Sequence, residues 1–452
     1  MSLSTDGLQS KKEHLRERLQ ARFFVAGKRD PEILILGLGT LGGGVGVARF
    51  LADLGYRLTI TDLRSKKELA TSLAQLKRYT HIRYTLGKHD LRDIQRADLV
   101  VKNPAVPLES SFVRAAKKKK IPVTCDADIF LTLVPRGRII GVTGTKGKTT
   151  TTLLIQHLLG KKAAAVGVPG VSFFDVFTTR TLPEFVVAEF SSFDLDLVSH
   201  SPPVVVITSL FADHLNRYSS FAAYAKAKMN IVAKHTQKDR AFVWYSPELI
   251  HAFPKSYRGN RMWVSERQLP PYASKASWRV ARPAIALAVA IARTLGISER
   301  DIKKRLLSFE APTGRLEIIR KTRTTVFIDD TTATNPGGAA FSLAAVAREW
   351  KSITIIAGGE DKKFPDKDVR VYADAIKKYH PRVILLPGSL SIKLKKYIGT
   401  VEYTKTMAEA VRLAQRSKGA VVLLPGAASF NMFRNEYDRS AQFVRAVKRL
   451  RR

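Results

Sequence analysis

Seven consecutive residues, Gly144-Thr145-Lys146-Gly147-Lys148-Thr149-Thr150, have the types and order that cradle phosphate. Glycines let backbone N–H groups close around phosphate oxygens, and a helix starting there adds its partial positive charge. Lys148 is placed to neutralise β- and γ-phosphates, and Thr149 can offer its hydroxyl to Mg²⁺. The apolar run 138–143 before the loop reads as a buried strand, and Thr151–Leu159 after it reads as an amphipathic helix. The spacing departs from the standard Walker form, because Val142 stands six residues before Lys148 and the nearby glycine is Gly141. An ordinary glycine turn is the bland alternative. The chemistry predicted is binding of a nucleoside triphosphate through Gly144–Thr150.

Three further side chains stand where a phosphate site needs charge and ligands. Ala188-Glu189-Phe190-Ser191-Ser192 puts a carboxylate at the C-terminal edge of a predicted strand. Asp213-His214-Leu215-Asn216-Arg217-Tyr218 follows the next strand and offers an imidazole. Tyr224-Ala225-Lys226-Ala227-Lys228 carries a lysine on a helix that Ser219 is expected to cap and that runs to about Ala233. Nearer the N-terminus, Ile33–Leu36 reads as a strand, Gly37-Leu38-Gly39-Thr40-Leu41-Gly42 as a turn, and Arg57–Thr61 as a second strand ending at Asp62. That is a Rossmann-like opening able to hold a nucleotide or sugar-nucleotide phosphate.

These elements alternate strand and helix along 452 residues, which predicts an α/β protein of three domains. A basic helical extension is expected over 1–30; Lys11–Phe24 shows no sustained apolar stripe, so partial order is expected there. A Rossmann-like domain follows at 31–133, then a central phosphate-loop domain with a mainly parallel sheet at 134–311. A Rossmann-like C-terminal domain occupies 312–452. No apolar run is long enough to span a membrane, and the polar N-terminus lacks a signal-peptide core. A single cysteine, Cys125, fits a reducing cytoplasm. The charge is +37, from 76 Lys and Arg against 39 Asp and Glu. Nucleic-acid association is therefore an alternative to consider. The basic residues are nevertheless spread along the chain, with short clusters only at 117–120 and 448–452, and no nucleic-acid motif accompanies them.

Taken together, the phosphate loop, Glu189, the Asp213–Tyr218 segment and Lys228 resemble the Mur ligases, ATP-dependent amide-forming enzymes of peptidoglycan precursor synthesis. Gly37–Gly42, Asp62-Leu63-Arg64 and Lys102-Asn103-Pro104-Ala105-Val106-Pro107 are similar to the UDP-binding domain of the D-glutamate-adding type. So are Asp330–Asn335, Gly358–Lys362 and Pro425–Phe430 near the C-terminus. The resemblance covers about residues 32–450. It implies a monomeric cytoplasmic ligase using ATP, Mg²⁺, D-glutamate and UDP-N-acetylmuramoyl-L-alanine, with ATP between the second and third domains.

By position, the resemblance gives Gly144, Thr145, Lys146, Gly147, Lys148, Thr149, Thr150, Arg315 and Asp330 to ATP. It gives Thr149, Glu189, His214 and Lys228 to the metal, with Lys228 carbamylated. Lys148, Lys228, His214 and Arg315 carry catalysis. Gly39, Asp62, Arg64, Asn103, Thr334, Lys362 and Ser429 bind substrates. Closure about a hinge near Ala311–Gly314 is expected to bring Arg315 to the γ-phosphate. The family's lysine beside the phosphates is replaced by Thr332; either a nearby cation such as Lys362 or Lys363 compensates, or the site runs with weaker transition-state stabilisation. A family asparagine that helps hold the sugar nucleotide has no clear counterpart in 167–170. Another Mur ligase, a folylpolyglutamate synthetase, or a basic nucleotide-binding protein without ligase chemistry are the other readings.

Overall fold

The computed structural model describes residues 5–28, 30–40, 42–275 and 282–450. Their strands form three separate sheets. The first contains β1 (Glu32–Leu36), β2 (Arg57–Asp62), β3 (Arg83–Leu86), β4 (Leu99–Lys102) and β5 (Val123–Thr124) in the order β3-β2-β1-β4-β5. The second contains β6 (Ile139–Thr143), β7 (Ala163–Val166), β8 (Phe185–Glu189), β9 (Val204–Ile207), β10 (Arg240–Trp244) and β11 (Asn260–Val264), ordered β11-β10-β9-β6-β8-β7. The third contains β12 (Glu317–Lys321), β13 (Thr325–Asp329), β14 (Ile353–Ala357), β15 (Arg382–Leu385), β16 (Glu402–Tyr403) and β17 (Gly419–Leu423), ordered β12-β13-β17-β14-β15-β16. Only the β12–β13 pairing is antiparallel.

Parallel sheets must be covered on both faces, so their strands are apolar throughout. In β1, Ile33 and Ile35 enter one core while Leu34 and Leu36 enter another on the opposite face. In β8 and β9, Val186 and Val205 belong to the same core as Ile33, whereas Val187 and Val206 face a separate one. The first two domains thus share one continuous apolar core. The C-terminal sheet buries its two faces in cores of its own, Ile355 in one and Ile356 in the other.

The N-terminal extension is helical, at Thr5–Phe23, and it differs from the sequence reading in having an apolar row: Leu15, Leu19 and Phe23 recur every four residues and are buried in the shared core. Arg18 donates to the carbonyls of Thr132 and Leu133 at 2.5 and 2.8 Å. Lys11 donates to those of Phe177 and Thr179. The extension therefore packs along both of the first two domains. A smaller correction concerns the helix bearing Lys228. It spans Phe221–Met229, followed by a 3₁₀ turn at Asn230–Val232, and Ser220 rather than Ser219 caps it by accepting from the Ala223 N–H.

Candidate active site

The chain leaves β6 at Thr143, makes the phosphate loop and enters the helix Lys148–Leu159. Gly144 has φ +150°, and a Cβ there would come within 2.0 Å of the Thr208 hydroxyl, so the position requires glycine. The end of β9 shapes the loop from below. Ser209 Oγ accepts from the Lys146 N–H at 2.8 Å, and the Thr208 and Ser209 hydroxyls both donate to the Lys146 carbonyl. Thr145 spends its hydroxyl on Phe211, accepting from its N–H and facing its carbonyl. Gly147, Lys148, Thr149 and Thr150 line the cavity above the loop.

Thr149 Oγ donates to Glu189 Oε2 at 2.7 Å, and Lys148 Nζ lies 4.0 Å from Glu189 Oε1. Lys228 is buried and donates to the Gly144 carbonyl at 2.7 Å. Burial first, and the neighbouring Lys148 second, lower the Lys228 ammonium well below the usual lysine range. Its amine therefore favours the neutral, nucleophilic form. His214 adopts a left-handed φ of +53°, which is strained for a side chain of this kind. Burial, opposed by Asp213, brings its imidazole down to about 4, so it is neutral at physiological pH. Burial alone would raise Asp213, but Lys362 and His214 hold its carboxyl down to about 2.

Asp213 is also where the third domain meets the second. Lys362 Nζ lies 3.3 Å from Asp213 Oδ1 and donates to Thr334 Oγ at 3.1 Å, while Asn335 donates to Asp213 Oδ2. Arg315, Asp330 and Thr332 line the same cavity as the phosphate loop. Arg315 thus stands beside that loop. Lys146 Nζ reaches Asp330 Oδ2 at 2.6 Å. Thr332 Oγ donates to the Gly314 carbonyl. The cations that line this cavity are Lys146, Lys148 and Arg315, whereas Lys362 stands on Asp213 and Thr334. Ser429 is buried beside Ala428, whose carbonyl accepts from the Glu360 N–H.

In the first domain, Asp62 uses its carboxylate on the backbone. Oδ2 accepts from the Leu38 and Gly39 N–H groups, each at 2.9 Å, and Oδ1 accepts from the Arg64 N–H. Asp62 therefore shapes the glycine turn, and the Arg64 guanidinium stands half-exposed 3.7 Å away. Asn103 follows β4 and faces Gly39 across the point where the strand order reverses. Arg217 of the central domain donates to the carbonyls of Pro104, Ala105 and Val106, tying the His214 segment to the Asn103 loop. The sequence reading gave no role to Asp213, Asn335 or Arg217, although Asp213 and Arg217 lie within the quoted His214 motif.

Among the described residues no three His, Cys, Asp or Glu side chains converge to hold a metal on their own. The donors present, Thr149, Glu189 and a neutral His214, suit a hard cation that takes its remaining oxygens from substrate phosphates.

Two family models match, the Mur ligase middle domain over residues 142–263 and the Mur ligase MurD-like N-terminal domain over residues 31–125. The UDP-N-acetylmuramoylalanine–D-glutamate ligase of Roseiflexus sp. is 34% identical, with 94% of this chain and 99% of the relative covered. Proteins of the same name from Borreliella afzelii and Trichlorobacter lovleyi are 31% and 32% identical, covering 92% and 91% of this chain and 97% and 98% of theirs. Among solved structures, UDP-N-acetylmuramate–alanine ligase of Thermotoga maritima aligns with a TM-score of 0.56 at 20% identity, over 92% of this chain and 99% of that one. The MurF protein of Acinetobacter baumannii gives 0.56 at 15%, over 96% and 98%. These last two establish the shared three-domain fold. On fold, site and sequence together, the chain belongs to the Mur ligase family.

Proposed function

We propose that this chain ligates D-glutamate to UDP-N-acetylmuramoyl-L-alanine, with ATP converted to ADP and phosphate. The supporting observation is the single cleft in which the phosphate loop of the second domain and Arg315, Asp330 and Thr332 of the third face one another. The names of the relatives supply the acceptor and the amino acid. The acceptor carboxylate attacks the γ-phosphorus, the bond to the ADP oxygen breaks, and an acyl phosphate forms. The glutamate amine then attacks the carbonyl carbon, loses a proton, and phosphate leaves as the amide forms. Both steps gather negative charge, so fixed cations contribute most.

Lys148 and Arg315 hold the γ-phosphate from opposite domains, and Lys146 adds a third cation to the cleft. Pro283, Ala284 and Phe341 give that cleft an apolar wall suited to a base. Thr149, Glu189 and His214 would hold Mg²⁺, which when bound would neutralise phosphate charge as a Lewis acid. Lys228, neutral by burial, adds to CO₂ and loses a proton to become a carbamate. That converts a group that would repel the cation into an anionic oxygen donor. Asn103 and the glycine turn shaped by Asp62 receive the UDP-sugar, with Arg64 at the rim. Lys362, Thr334 and Ser429 receive the glutamate. The resemblance to the Mur ligases supports a monomer working in the cytoplasm, where its nucleotide substrates are. No helix among the described residues is long and apolar enough to cross a membrane.

The test is ADP release and amide formation across a panel of UDP-sugar acceptors with D- and L-amino acids. The expected result is turnover with UDP-N-acetylmuramoyl-L-alanine and D-glutamate. No product from that pair, or a clear preference for another, overturns the assignment.

A further inference from the structure

Arg439 lies in the helix Glu436–Arg449, yet it is completely buried. A buried guanidinium has five N–H groups to satisfy, and this one makes four hydrogen bonds to backbone and hydroxyl oxygens of two different loops. Nε donates to Thr331 Oγ at 3.0 Å and Nη2 to the Thr331 carbonyl at 2.8 Å. Nη1 donates to the carbonyls of Ala427 at 3.1 Å and Ala428 at 3.3 Å. Thr331 passes the link on, donating from Oγ to the Glu436 carbonyl. A third loop joins through Ala428, which exchanges backbone hydrogen bonds with Glu360 at 3.1 and 2.9 Å. The approach is close: a Cβ on Gly359 would come within 2.6 Å of the Ala428 carbonyl.

The Thr331, Glu360 and Ala428 loops carry Thr334, Lys362 and Ser429 respectively. Among the described residues the backbone joins these loops at few points: the Glu360–Ala428 bridge, the Gly426 N–H on the Ala333 carbonyl at 2.8 Å and the Gly358 N–H on the Pro425 carbonyl at 2.9 Å. We infer that Arg439 is a positioning residue, an internal clamp that holds Thr334, Lys362 and Ser429 in the mutual arrangement that receives the incoming amino acid. This rests on the assignment of those three residues to the glutamate site made above. Asp330, next to Thr331, has anchors of its own in Lys146 and the Leu316 N–H, so the clamp bears on the amino acid more than on ATP. A lysine at 439 has one nitrogen and cannot span Thr331 and both alanine carbonyls, so charge alone does not replace the fork.

The test compares wild type with Arg439→Met, Arg439→Lys and Thr331→Val, reading KM for D-glutamate and for ATP separately. Arg439→Met is expected to raise the D-glutamate KM by about tenfold or more while the ATP KM changes less than about threefold, with Arg439→Lys intermediate. Hydrogen exchange is expected to quicken together at 330–335, 358–363 and 425–430. An equal rise in both KM values, or an unchanged D-glutamate KM, overturns the clamp, as does faster exchange confined to one loop. If Arg439→Met does not fold, Thr331→Val, which removes only the hydroxyl linking Arg439 to Glu436, decides by the same two measurements. Wild type inactive with D-glutamate sinks the functional reading instead, and the exchange data then judge the clamp alone.

Discussion

Lys146 of the phosphate loop and Asp330 at the end of β13 meet at 2.6 Å, although they belong to different domains. Both are largely buried, Asp330 at 1% side-chain exposure and Lys146 at 14%. Burial lowers the Lys146 ammonium and Asp330 opposes that shift. The pair latches the third domain onto the second, and it brings together two residues that ATP is expected to approach.

Removing one partner of such a pair strands the other. Lys146→Met leaves Asp330 buried without its cation, a change that costs on the order of 3–5 kcal/mol when a buried pair is broken. Domain contact is the weaker link, so the loss is expected as opening rather than unfolding. Small-angle scattering of unliganded protein should show a compact wild type and an expanded Lys146→Met variant. Identical profiles would mean that the latch contributes nothing to closure.

Lys148 is the other loop lysine, and it faces the cavity beside Glu189. Lys148→Ala is expected to lower turnover by about 10²-fold or more, the scale seen when a fixed transition-state donor is lost. Turnover near that of wild type would place the ATP site elsewhere.

Lys228 donates to the Gly144 carbonyl from a buried position that keeps its amine neutral. A carbamate forms only on a neutral amine, and the burial that lowers the Lys228 ammonium favours that form; on the proposed reading, carbamate occupancy is expected to decline as pH falls. Lys228→Ala is expected to be nearly inactive and partly rescued by a short carboxylic acid. Full activity of wild type prepared and assayed free of CO₂ would count against the carbamate.

Asp329 gives a pH-dependent stability whose sign is opposite to that of most carboxylates. Burial pushes its carboxyl up to about 6, although the Ser440 hydroxyl and the Thr331 N–H both donate to it. The native state therefore holds more protons than the unfolded chain between about pH 4 and 6, and stability falls as pH rises through that window. A shift of about two units corresponds to about 3 kcal/mol, fully expressed above pH 7. Asp329→Asn is expected to melt higher than wild type at pH 8, with the advantage fading towards pH 4. An advantage independent of pH would show that ionisation of Asp329 is not its source.

How much of this was legible in the sequence differs by element. The phosphate loop, Glu189, His214 and Lys228 were readable because each lies at a strand end or on an adjoining helix, where local pattern and function coincide. Asp62 was readable as an important acid but not as one committed to the Leu38 and Gly39 amides, since hydrogen-bond partners are set by the turn's final shape. The Lys146–Asp330 contact spans 184 positions and depends on how two domains dock. The N-terminal extension was readable as helical but not as packed, because Leu15, Leu19 and Phe23 make a sparse apolar row on an otherwise charged segment. Arg439 sits among the charges of Glu436–Arg449 and looks like any solvated helix arginine until packing encloses it.

Thr332 carries the last prediction. The family places a lysine here beside the phosphates, whereas Thr332 donates to the Gly314 carbonyl and holds the segment that leads into Arg315. Lys146, Lys148 and Arg315 already line the cavity, so the charge missing at 332 is present in other hands. Restoring the lysine would add a fourth cation and remove the bond that steadies Gly314, which has φ +69° and where a Cβ would come within 2.8 Å of the Thr331 methyl. One charge-assisted hydrogen bond is worth about 1.5–3 kcal/mol, or roughly 10- to 150-fold in rate, to a site that lacks it. Here the site does not lack it, so Thr332→Lys is expected to leave turnover flat or lower it. A gain of about tenfold or more would show that Lys146 does not substitute for the family lysine and that it serves the Asp330 latch alone.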